Sequence, residues 1–136
     1  SNRIKSWVTT RFEMNKFIGQ KAYQNNSVAN PQIDDAHGAV SVCLETLVHN
    51  LKVLADNPPH GSEIFNRVSS KCLTAIYILQ TSLDFEKGAV IAENLFKLYD
   101  YVKFQVIANS KSSEDADIDQ AVSIISEIFG SWKTIK

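Results

Sequence analysis

The chain has 136 residues, 44% of them apolar and 21% charged, and its 14 Lys and Arg against 15 Asp and Glu leave a net charge of −1. That length forms one domain burying roughly two-thirds of its unfolded surface, with too much apolar content for disorder and no charge excess for a nucleic-acid backbone or an anionic membrane. No apolar run nears the roughly 18 residues of a membrane span, no signal-peptide pattern opens the chain, and the two cysteines, Cys43 and Cys72, lack the spacing of a disulfide framework or thiolate zinc site.

In chain order, residues 1–30 form an N-terminal segment with scattered apolar residues and only patchy period, expected to be irregular or short-helical. The sole methionine is Met14, so residues 1–13 are expected to be an added or upstream extension. From Pro31 onward, residues 31–136 read as one unit. Ile33, Ala36, Val40, Leu44, Leu47, Leu51 and Leu54 step by three and four, as do Phe65, Val68, Cys72, Ile76, Leu79 and Leu83. Ile91, Leu95, Leu98, Val102 and Val106 define a third helix, and Ile118, Val122, Ile125, Phe129 and Trp132 a fourth. Breaks fall at Asn57-Pro58-Pro59-His60-Gly61, at Leu83–Gly88 and at Asn109–Asp115. Ser62 and Ser113 stand where N-caps are wanted, and Asp34 and Asp35 suit the first turn of the first helix. Four helices joined by short connections predict an all-α, antiparallel up-down four-helix bundle.

Catalytic signatures are thin. The sequence has no HExxH, no GxSxG and no Gly-rich phosphate loop, so neither an enzyme, a metal site nor a cofactor is expected. Cys43 and Cys72 read as small core residues. His49-Asn50-Leu51-Lys52-Val53 approximates the His-x-Leu-Lys-Gly stretch of histidine phosphotransfer domains, with Val53 where the glycine would admit a partner. A phosphotransfer module using His49 is therefore an alternative reading.

The third helix carries more apolar side chains than one core stripe can use. At about 100° per residue, Phe96, Phe104 and Ile107 fall opposite the stripe, around Glu93, Asp100 and Lys103, while Tyr101 flanks it. Large apolar side chains outside a core mark a binding surface. A partner groove, a covering N-terminal segment and a symmetric homodimer each account for them.

Ser82-Leu83-Asp84-Phe85-Glu86-Lys87-Gly88, followed by Ile91-Ala92-Glu93-Asn94-Leu95 and Leu98-Tyr99-Asp100-Tyr101, closely resembles the FliS family of flagellar secretion chaperones for flagellin. The resemblance continues through Ala108-Asn109 and through Ile118, Ala121, Ile125, Trp132 and Ile135, while Lys21-Ala22-Tyr23-Gln24 is similar to the family's N-terminal motif. The chain departs from the pattern in the first helix, at Val42-Cys43-Leu44-Glu45, and where Lys103 and Phe104 replace paired arginines. The resemblance implies a cytoplasmic export chaperone that holds the unfolded C-terminal segment of flagellin in a hydrophobic groove and docks on an export-gate component of the flagellar type III apparatus. It places Tyr99 and Tyr101 with Phe96, Phe104 and Ile107 at the partner-binding surface, Tyr99 being equally readable as a core tyrosine with its hydroxyl at the rim. It makes Tyr23 part of a segment that caps the groove in the free state. A bundle with another client is a further alternative.

Overall fold

The computed structural model describes Tyr23 and residues 36–134. Four helices follow one another: α1 (Ala36–Ala55), α2 (Glu63–Thr81), α3 (Phe85–Ser110) and α4 (Ile118–Lys133). Each packs against its neighbours in sequence, and α4 returns to α1, which closes an antiparallel four-helix bundle. The predicted all-α architecture is the one observed. Ile33, Asp34 and Asp35, and the N-terminal segment other than Tyr23, lie outside the described residues.

The core is the predicted set of stripes turned inward. Val40, Leu44, Leu47 and Leu51 of α1 are fully buried, as are Cys72, Ile76 and Leu79 of α2. Side chains of this size each contribute about 1.5–3 kcal/mol on leaving water. On α3 the stripe runs through Ile91, Ala92, Leu95, Tyr99, Val102 and Val106, so Tyr99 takes the place expected of Leu98, which is half-buried. On α4 it runs through Ile118, Ala121, Ile124, Ile125, Ile128 and Trp132, leaving Val122 and Phe129 at its margin. Both shifts are small rotations of a helix, within the width of an apolar face.

Local chemistry sets where the helices stop. Asn57 adopts φ 56° just past α1, a left-handed conformation that asparagine tolerates, and Pro58 and Pro59 then prevent continuation. Gly61, at φ 80°, completes the reversal. The Ser62 hydroxyl caps α2 by accepting the Phe65 N–H at 3.2 Å, as expected. Asp84 caps α3 through the Lys87 N–H at 2.9 Å, so the Leu83–Gly88 break is shorter than its composition suggests and Phe85 already begins the helix. Helical backbone is then interrupted at Ala89, which holds φ 46° and ψ −122°.

The expected cap at Ser113 is displaced. Helix α3 runs on to Ser110, and Ser112 at φ 58° lets the Ser113 N–H return to the Ala108 carbonyl at 2.9 Å and the Ser112 N–H to that of Asn109 at 3.1 Å. This is a Schellman closure, so Ser113 is used in ending α3. Asp117 caps α4 instead, accepting the Gln120 N–H at 3.0 Å while its own N–H donates to the buried Gln105 Oε1 at 2.7 Å.

Candidate functional site

Helices α2 and α3 are joined at the surface by a polar strut. Gln80 Nε2 donates to the Phe96 carbonyl at 3.2 Å and to Asp100 Oδ1 at 3.3 Å. Lys103 lies 3.0 Å from the same carboxylate, and that contact holds Asp100 below its ordinary pKa. Around this strut stand large apolar side chains with no place in the core. Phe104 is 58% exposed, Tyr77 68%, Phe85 50% and Phe96 38%. The rings of Phe85 and Phe96 touch at a tilt, 5.9 Å between centroids. The Lys103 ammonium lies 5.8 Å from the Phe104 ring centre.

The predicted site residues therefore occupy different depths. Phe96 and Phe104 are at the surface, and Ile107 is half-buried on the same helix. Tyr101 is half-buried on the other flank of α3, where its hydroxyl donates to Gln120 Oε1 of α4. Tyr99 has no exposed surface, and its hydroxyl is bonded to that of Tyr23, so it belongs to the core and not to the surface patch. The register places Tyr99 between Leu95 and Val102, and Tyr23 supplies the polar partner that its hydroxyl needs there. Sequence reasoning missed Tyr77 and Phe85. Tyr77 stands off the α2 stripe, a signal of the same kind as Phe104, whereas Phe85 was absorbed into a turn motif.

Beneath this face lies a buried aromatic latch. Tyr23 is 7% exposed, pairs its backbone with Leu83 as an isolated antiparallel bridge, and shares a hydroxyl hydrogen bond with Tyr99. Its ring meets Trp132 edge-on, 5.4 Å between centroids. Trp132 in turn stacks on His37 at 4.5 Å. Tyr23 thus ties α3, α4 and the turn before α3 together. Burial raises both tyrosine hydroxyls above their usual range, which favours their neutral forms.

The remaining titratable side chains among the described residues form no comparable constellation. Cys72 is buried and its thiol pushed up to about 12 by burial, and Cys43, half-buried against the core, is also raised by burial. Both behave as the small core residues expected of them. His60 stacks on Phe65 at 4.3 Å and lies 3.3 Å from the Ser112 hydroxyl. His49 is exposed, with Val53 half-buried one turn later. Among the described residues, no three His, Cys, Asp or Glu side chains come together as metal ligands would.

The Flagellar secretion chaperone FliS of Vibrio cholerae serotype O1 (strain ATCC 39315 / El Tor Inaba N16961) is 34% identical over 65 residues, 48% of this chain. The match likewise spans about half, 48%, of that protein's length. A family model described as "Flagellar protein FliS" matches residues 18–136, which takes in Tyr23, all four helices and the aromatic face between α2 and α3. On that match the chain belongs to the FliS family.

Proposed function

We propose that this chain is a flagellar secretion chaperone that holds the C-terminal segment of flagellin on the α2–α3 face before export. The carrying observation is the cluster of Tyr77, Phe85, Phe96 and Phe104, large apolar side chains left in solvent around one polar strut. An amphipathic segment that is unfolded before assembly would lay its apolar stripe over this face, in the helix-in-groove mode. Covering the stripe blocks premature polymerisation in the cytoplasm. Ordering the client costs about 2–5 kcal/mol of the gross interaction, which keeps the complex reversible when it reaches a component of the export gate.

Tyr23 supplies the regulated part of this reading. Tyr23 closes the latch in the free chaperone, and its departure would open a path to Tyr99. Phe96, Phe104 and Ile107 then make the first contacts, and Tyr99 joins them in the fully engaged complex. No chemical step or cofactor is required.

Isothermal titration of the whole chain with a flagellin C-terminal segment of about 40 residues tests the proposal. One-to-one binding with a negative heat-capacity change is expected, because the client buries apolar surface as it folds. Silence at several temperatures, in the whole chain and in a version without residues 1–28, would overturn it. Sedimentation of the free protein would then show whether a symmetric dimer covers the same face.

A further inference from the structure

We propose that the cleft between α1 and α2, on the flank of α2 that faces α1 and not α3, is a second docking site for a short acidic segment of a partner protein. This does not rest on the flagellin reading. The cleft has a volume of about 560 Å³, in the range of sites that take a few side chains. Its walls are chemically divided. Val53, Ile64 and Val68 form an apolar end, and Ile64 is 47% exposed there although it is a large aliphatic side chain. His49, Arg67 and Lys71 form the other end.

Charge selects the occupant. Residues 36–134 carry eight Lys and Arg against twelve Asp and Glu, so most of the bundle surface repels an acidic ligand. Arg67 and Lys71, one turn apart on α2, are an exception. Among the described residues Arg67 is engaged only by Glu63 at 3.7 Å, between well-exposed side chains, which leaves its guanidinium able to take a carboxylate. Lys71 has no ion pair among the described residues. Glu45 also lines the basic end and disfavours a polyanion, confining carboxylates to the α2 wall. The fitting segment therefore carries one apolar side chain, for Val53 and Ile64, about one helical turn from one or two carboxylates for Arg67 and Lys71.

The probe is a 16-residue acetylated, amidated helical peptide with one Leu one turn from two Glu, titrated into the whole isotope-labelled chain and followed by amide NMR shifts. Shifts are expected at residues 46–53 and 64–71, with affinity falling about tenfold when Gln replaces both Glu and again in the R67E/K71E double variant. Both substituted side chains are exposed, and an unchanged thermal melt establishes that the variant is folded. Shifts centred on Phe96 and Phe104, indifference to Gln, equal binding of inorganic phosphate alone, or no shifts at about 1 mM peptide would each overturn the proposal. The flagellin titration reads the neighbouring α2–α3 face through Phe96 and Phe104, which line no part of this cleft, so either proposal can fail without the other.

Discussion

His37 and Trp132 hold each other through two opposed hydrogen bonds. The Trp132 indole N–H donates to the His37 carbonyl at 2.9 Å, and His37 Nε2 lies 3.0 Å from the Trp132 carbonyl. A carbonyl only accepts, so Nε2 carries the proton in this arrangement. The rings stack at 14°, and the pair fastens the first turn of α1 to the last turn of α4, residues 95 apart in the chain. Trp132→Phe should cost about 2–3 kcal/mol, combining lost area with an unmade hydrogen bond, and His37→Ala about 1 kcal/mol. Urea denaturation measures both. Equal stability in Trp132→Phe would show the indole bond to be immaterial.

The Tyr23–Tyr99 pair gives stability a ceiling in pH. Both hydroxyls are raised above 10 in the folded protein and ionise near 10 when unfolded. Their contribution is complete below about pH 10 and falls above it, by up to ~1.4 kcal/mol per pH unit for each tyrosine. Cys72, raised from 9.0 to about 12, adds the same sign of loss from about pH 9. Denaturation midpoints between pH 8 and 11 should therefore fall, and less so in the Tyr23→Phe/Tyr99→Phe double variant. A flat profile in the native protein would sink this account.

Each single Phe variant of that pair should lose about 1–2 kcal/mol, because the surviving hydroxyl stays buried without its partner. The double variant should lose less than the sum of the two, and a complete mutant cycle measures the coupling.

Ala89 offers a stabilising change. Its φ of 46° with ψ of −122° is a conformation that only glycine adopts readily, and an L side chain there costs on the order of 1–3 kcal/mol. Ala89→Gly removes that strain against a smaller entropic cost, so a net gain of about 1 kcal/mol is expected in a thermal melt. A lower melting temperature would contradict it.

Phe104 and Ile107 separate binding from folding. Phe104 is mostly in solvent, so Phe104→Asp should shift stability by less than about 0.5 kcal/mol while weakening flagellin-segment binding about 30-fold. Ile107 is half-buried, and Ile107→Asp should cost about 1–2 kcal/mol of stability as well. Calorimetric titration alongside denaturation distinguishes the two effects.

The sequence by itself determined the helices and most of the core. Val40, Leu44, Leu47 and Leu51 need only the 3.6-residue period to be placed, and Ser62 needs only its position before Glu63 to be read as a cap. Phe104 was legible on the surface for the same reason, since a helix can turn only one stripe inward. Ser113 was misread because a serine serves equally as an N-cap or within a helix closure, and the left-handed Ser112 that decides between them leaves no composition signal. Tertiary structure alone decided what meets across the chain. That Tyr23 reaches Tyr99, that Trp132 stacks on His37, and that Arg67 and Lys71 share a cleft with Val53 are contacts between elements. Periodicity fixes the face of each helix, but the packing of four helices at once fixes which faces meet and which are left to solvent.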